Sequence, residues 1–313
     1  MLLFIAAHAA ELLQLTTSSR ASLVYSESNE IRMMLLSLSA STSFSLAAVF
    51  AWGTSDFVGG YAARRTNAFP LTAIAHISGL FLMAGLALAT RSPFPSRTAV
   101  VWALIGGLSG GGALAIFYRA LSTGRMGLTA PVAAVLGAAI PTVFGMFREG
   151  LPQAAQVVGF VLAAAGIWLI SRTEDDSHSE GIGMAALAGI GFAGFYLCIR
   201  QAGDGSAFWI AATSKVASFA LTGVIVLIGR TPREMAPRGI AFGVLAGCLD
   251  TIGSVLFIRA SQTGRLDAAV VLSSLYPAVT VLLARFILQE HFTRWKALGM
   301  VAALLAVPMI AWR

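Results

Sequence analysis

The phrase YRALSTGR at residues 118–125 recurs almost unchanged, 140 positions later, as IRASQTGR at residues 258–265. The same offset also pairs Gly107 with Gly247. Further identical pairs at this offset are Phe117/Phe257, Ala138/Ala278, Gly159/Gly299 and Ala163/Ala303. Since the identities continue on both sides of the phrase at one offset, the sequence indicates an internal duplication.

The composition is that of a membrane protein. Apolar residues make up 57% of the chain and charged residues only 11%, whereas soluble domains carry about 25% charged residues. The net charge of +7 does not point to nucleic acid, because no more than two basic residues are adjacent. We interpret these basic residues as loop residues that flank membrane spans.

A membrane-crossing helix needs about 20 mostly apolar residues, and ten segments meet this requirement. They are residues 44–62, 70–90, 99–118, 128–147, 154–171, 182–200, 207–228, 239–258, 268–288 and 296–312. The most polar connection, residues 172–181, lies between the fifth and sixth segments and is interpreted as a linker. The predicted fold is an all-α integral membrane protein of ten helices.

Each copy of the duplication, residues 44–171 and 182–312, holds five predicted spans. Because five is odd, the second copy begins on the opposite side of the membrane, and the two copies become inverted repeats. Inverted repeats are typical of transporters that alternate access to a central site.

The duplicated phrase places an arginine and a glycine near the end of the third span of each half. Arg119 and Arg259 are interpreted as anchors that reach opposite membrane interfaces, or alternatively as contacts for an anionic substrate. Gly124 and Gly264 are expected to permit a tight turn into the next span.

Residues 1–43 are expected to form a disordered leader. The apolar stretch at its start is too short to span a bilayer, and no basic residue precedes it as in a secretory signal. Translation from Met33 or Met34 is an alternative to translation from Met1.

Three ionisable side chains stand out inside predicted spans: Asp56, Lys215 and Asp250. An ionisable group at mid-membrane is costly and normally faces the protein interior. One of the carboxylates could bind a proton or a cationic substrate group, and Lys215 could meet an anionic group. The alternatives are a structural ion pair between Lys215 and Asp250, and hydrogen bonds from Thr54, Ser55 or a neighbouring helix to Asp56.

Aromatic side chains form a second set of candidates. Trp52, Tyr196 and Tyr276 could line a cavity, because tyrosine combines an apolar ring with a hydrogen-bonding tip. Pro277 removes a backbone donor inside the ninth span, and such discontinuities point to binding sites in transporters; plain helix curvature is the alternative. The run GGLSGGG at 106–112 lacks the Lys-Ser or Lys-Thr of a phosphate loop, so we interpret it as a helix-packing surface.

Three stretches carry a family resemblance: AWGTSDFVGG (51–60), FYRALSTGRMGLTAPVAAVLGAAIP (117–141) and LSSLYPAVTVLLARFILQEHFTRWKALGMVAALLAV (272–307). They resemble the EamA family of the drug/metabolite transporter superfamily. The resemblance implies ten helices in two EamA repeats, a central cavity, cytoplasmic termini and transport of small metabolites or drugs. Where the family often has Arg after its closing acidic residue, Glu290 is followed by His291.

The leading hypothesis is a secondary-active transporter in the plasma or inner membrane, an exporter that could be coupled to protons. The alternatives are a membrane enzyme and a non-transporting membrane scaffold. No metal site, cofactor or nucleic-acid partner is expected; the expected partners are a small-molecule substrate and the lipid bilayer. Asp56 and Asp250 would suit amines, whereas Lys215 and the two arginines would suit carboxylates, so together they favour a zwitterion such as an amino acid. The sequence leaves the oligomeric state open.

Overall fold

The apolar segments fold as helices, because a bilayer offers the backbone N–H and C=O groups no partners beyond the segment itself. The structure, a computed structural model, describes residues 40–149, 154–171, 181–229, 235–263, 266–290 and 293–310, which hold helices and no strand. The helices are α1 (40–63), α2 (Ala68–Ala89), α3 (Arg97–Thr123), α4 (Met126–Glu149), α5 (Ala154–Ser171), α6 (Ile182–Ala202), α7 (Ala207–Ile228), α8 (Pro237–Thr263), α9 (Leu266–Ser273), α10 (Tyr276–Ile287) and α11 (Arg294–Ile310).

The chain is a multi-pass membrane protein. Among the described helices, α2, α3, α6, α7 and α8 are long and apolar enough to cross a bilayer. Large apolar side chains on these helices point outward, including Phe81 and Ile228, which are 71% and 77% exposed. Side chains of this kind on an outer surface are suited to lipid contact rather than to water.

The ninth predicted span, residues 268–288, is wrong as a single helix. The structure has two helices here, α9 and α10, separated by a turn at Ser274 and Leu275. Pro277 lies at the start of α10 and has no N–H to donate to the carbonyl of Ser273, so the helical ladder is interrupted at this point.

The third and eighth helices are longer than predicted, since α3 continues to Thr123 and α8 to Thr263. Both copies of the recurring phrase are therefore helical through their threonine. The expectation for Gly124 is wrong: its φ of −101° is open to any residue, so the two-residue connection to α4 does not need glycine there. Gly264 lies outside the described residues.

Helices of the two halves pack against one another. The helix α3 packs against α6 and α7, and α2 packs against α7 and α8. Glycine makes these contacts close: a Cβ at Gly107 would lie 2.0 Å from the carbonyl oxygen of Ser214, and a Cβ at Gly247 would lie 2.0 Å from that of Ala75. The packing interpretation of residues 106–112 agrees with this geometry, since glycine lets helix backbones approach.

Most residues of the predicted leader and linker lie outside the part of the chain that the structure describes. Helix α1 already includes residues 40–43, which were expected to belong to the leader. Residues 1–39 and 172–180 lie outside the described residues.

Candidate functional site

A cavity lies between helices of both halves. Six of the seven residues proposed from the sequence for the substrate or proton site line it. They are Trp52, Asp56, Tyr196, Lys215, Asp250 and Tyr276. Pro277 does not line it; its contribution is the break beside Tyr276.

Lys215 and Asp250 form a buried ion pair at the wall of the cavity. The Nζ atom of Lys215 on α7 donates to Oδ2 of Asp250 on α8, and the two side chains are 9% and 12% exposed. The ion pair that the sequence left as an alternative is therefore present. Each charge offsets the other, which lowers the cost of keeping either one inside the membrane.

Asp56 has no such partner. It is 5% exposed, and within the described part of the chain no hydrogen bond or salt bridge reaches its carboxylate. The alternative that Ser55 satisfies Asp56 is not found, because the Ser55 hydroxyl donates to the carbonyl oxygen of Ala246 at 2.8 Å and shares a 3.1 Å hydrogen bond with the Tyr118 hydroxyl. The cavity thus contains one carboxylate that its surroundings leave uncompensated.

Three aromatic rings line the cavity together with this carboxylate. The ring of Trp52 lies 6.2 Å, between centroids, from those of Tyr196 and Tyr276. Its indole Nε1 donates to the carbonyl oxygen of Asp250 at 3.0 Å, which fixes the ring between α1 and α8. Since Trp52 precedes Asp56 by four residues on α1, both occupy one face of that helix.

Three serines of the cavity were not identified from the sequence. Ser214 and Ser218 lie on either side of Lys215 on α7, and Ser254 follows Asp250 by one helical turn; all line the cavity. For Ser218 and Ser254 the signal was available, because residues three or four positions from a buried charge share its helix face.

Arg119 and Arg259 do not belong to the cavity. Both are exposed in the last turns of α3 and α8, and neither is among the residues that line it. Their position fits the anchoring interpretation, and it does not bring them to the cavity as contacts for an anion.

Glu290, which follows α10, joins three helices at one end of the bundle. Its carboxylate accepts from Arg64 at 2.7 Å, and from the backbone N–H groups of Met126 and Gly127 at 3.3 Å each. A negative charge at these first N–H groups of α4 is favourable because the helix dipole is positive there. We refer to Glu290, Arg64 and the first turn of α4 as the Glu290 clamp.

Within the described residues, no group of three or more His, Cys, Asp or Glu side chains could hold a metal ion. His76 is buried, with Nε2 3.4 Å from the carbonyl oxygen of Gly111, and does not line the cavity.

The comparisons with known proteins agree with this arrangement. The model of the EamA-like transporter family matches residues 179–312. The match confirms the resemblance noted in the sequence over this part of the chain. A solved structure described as "Crystal structure of protein" has a TM-score of 0.64 and 18% identity, and the alignment covers 87% of this chain and 97% of that chain. At this identity the likeness shows the fold alone. No curated protein matches the sequence.

Proposed function

We propose that the protein is a secondary-active transporter of small metabolites or drugs. The observation that carries the proposal is a cavity that holds three ionisable side chains, Asp56 from the first half of the chain and the Lys215–Asp250 pair from the second. An ionisable group is expensive inside a membrane and is normally kept there for function. An apolar scaffold or regulator has no need of an uncompensated carboxylate at this depth.

The architecture we propose is ten membrane-spanning helices in two inverted repeats, residues 44–171 and 182–312. The packing supports it. The third helix of the first half, α3, uses its Gly107 to pack against α7, the second helix of the other half. The third helix of the second half, α8, likewise uses its Gly247 to pack against α2, the second helix of the first half.

Two such halves can exchange conformations and open the cavity first to one side of the membrane and then to the other. In our proposal both termini are cytoplasmic, as the family resemblance implies, the membrane is the plasma or inner membrane, and transport is outward. Asp56 is the candidate for coupling, because an unpaired carboxylate can exchange a proton for a substrate group.

Transport can be tested with purified protein in liposomes. We expect saturable uptake of at least one class from a panel of radiolabelled amino acids, amines, carboxylates and lipophilic cations. Ser254→Trp, which fills the cavity, should abolish this uptake. Leu187→Trp is the matched control, because Leu187 lies on α6 and is 55% exposed, and its uptake should be unchanged. Melting curves of both variants would verify folding.

The alternatives give different results in the same assay. Chemical conversion of a compound without its transport would indicate a membrane enzyme. Neither transport nor conversion by a folded protein would indicate a scaffold.

A further inference from the structure

We propose that the cavity binds a monovalent organic cation, an amine or a quaternary ammonium compound with an apolar body, and that Asp56 is its counter-charge. This inference rests on the proposed transport function and names the substrate class.

The first step is the charge of the cavity. The residues that line it include three that are ordinarily charged: Asp56, Lys215 and Asp250. Lys215 is bound to Asp250, so the pair contributes no net charge and the lysine is not available to a substrate carboxylate. The remaining ionisable group is Asp56, and its carboxylate, once it has released its proton, favours a monovalent cation and disfavours an anion.

The second step is that the cavity offers no free cationic side chain to the carboxylate of a zwitterionic substrate. Lys215 is engaged with Asp250, and Arg119 and Arg259 are exposed and lie away from the cavity. The sequence favoured an amino acid because these basic residues seemed available to its carboxylate. In the structure these basic residues are not available to a substrate carboxylate, whereas Asp56 can still accept the ammonium group.

The third step is the aromatic wall. Trp52, Tyr196 and Tyr276 line the cavity together with Asp56, and the ring of Trp52 lies 6.2 Å, between centroids, from each of the two tyrosine rings. A cation over such rings within about 6 Å of a centroid gains about 0.5–2 kcal/mol, and clusters of aromatic rings recognise quaternary ammonium groups in this way. Divalent cations such as Ca²⁺ are held by several oxygen ligands, often carboxylates, and the described residues contain no group of three or more His, Cys, Asp or Glu side chains that could hold a metal ion.

The experiment compares four benzyl compounds that differ in charge: benzyltrimethylammonium, phenylacetate, phenylalanine and benzyl alcohol. Binding to the full-length protein in detergent is followed by the melting temperature and by isothermal titration. We expect a saturable rise in melting temperature with benzyltrimethylammonium. The dissociation constants of the other three compounds should be at least about tenfold higher.

The key variant is Asp56→Asn. Because no hydrogen bond within the described residues is lost, it should fold with an unchanged or higher melting temperature and bind the cation at least about tenfold more weakly, the factor of a lost charge-assisted contact. Asp204→Asn removes the same charge from an exposed connection between α6 and α7 and should leave binding unchanged. Asp56→Glu keeps the charge, so it should keep cation binding, and it provides a second test if the asparagine variant fails to fold.

Equal or tighter binding of phenylalanine or phenylacetate would overturn the inference. So would cation binding by Asp56→Asn at full affinity, or no binding of the cation to folded protein. Transport of a non-cationic compound by a protein that binds no cation would overturn this inference alone. Cation binding without flux of any compound would support the site and contradict the transporter.

Discussion

The carbonyl oxygen of Ser214 lies where a side chain on Gly107 would have to begin: a Cβ built on Gly107 would be 2.0 Å from it. Atoms of this kind do not approach so closely, so α3 and α7 can keep their present separation only with glycine at residue 107. Ser218, one turn along α7, donates to the carbonyl oxygen of Gly107 at 2.8 Å. The contact between the halves is therefore both close and hydrogen-bonded.

Gly107→Ala should lower the stability of the protein. The added methyl group forces α3 away from α7, and overpacking of this kind costs about 1–3 kcal/mol. The measurement is the melting temperature in detergent. Gly85→Ala is the control, because a Cβ at Gly85 meets nothing within 4 Å; its melting temperature should not fall. Equal effects of the two substitutions would contradict the close contact.

Separating Lys215 from Asp250 should destabilise the protein strongly. Lys215→Met or Asp250→Leu leaves an uncompensated charge in the cavity wall, which costs about 3–5 kcal/mol for a fully buried pair. The double variant leaves no charge, and it should be more stable than the sum of the single effects predicts. Unfolding in denaturant, measured as a double-mutant cycle, gives the coupling free energy. Additive effects would mean that the pair contributes nothing.

Replacing the two charged side chains of the Glu290 clamp by alanine should lower the melting temperature by unequal amounts. Glu290→Ala removes the acceptor of Arg64 and of two backbone N–H groups at the start of α4. Arg64→Ala leaves the contacts of Glu290 to those N–H groups in place, and Arg64 is the more exposed partner, at 29% against 8%. The melting temperature should fall further for Glu290→Ala. A larger fall for Arg64→Ala would show that the ion pair, rather than the cap on α4, is the stabilising contact.

The break between α9 and α10 supplies a matched pair of adjacent serines. The hydroxyl of Ser273 is buried without a partner among the described residues, whereas that of Ser274 donates to the carbonyl oxygen of Val270 at 2.6 Å. Ser273→Ala should leave stability unchanged or raise it, because it removes an unsatisfied polar group, and Ser274→Ala should lower it by about 0.5–1.5 kcal/mol. Thermal unfolding of the two variants measures these changes in stability. A larger loss of stability for Ser273→Ala than for Ser274→Ala would contradict this hydrogen-bonding scheme.

The sequence was most informative where a single residue carries a large energetic constraint. The cost of a charge in the membrane made Asp56, Lys215 and Asp250 recognisable, and all three line the cavity. The missing N–H of Pro277 likewise located a discontinuity, although the full break into two helices was not predicted. In both cases the constraint is local and can be read without knowing the neighbours.

The sequence was least informative where a residue chooses between distant partners. Ser55 is adjacent to Asp56, yet its hydroxyl donates to Ala246, 191 positions away. Glu290 was recognised as the acidic residue that closes a repeat, but its partner Arg64 is 226 positions away. Such choices depend on how the helices are arranged in three dimensions, which periodicity does not specify.

The glycine contacts between the halves have a consequence for how the protein is made. The helices α2 and α3 leave the ribosome well before α7 and α8, whose backbones cover their close-packed faces. Until those later helices enter the bilayer, the first half holds Asp56 without the walls of the cavity around it. A chain that stops after α5 would present this carboxylate and these open faces to lipid, the kind of exposed polar group that membrane quality control can use to detect an unfinished protein.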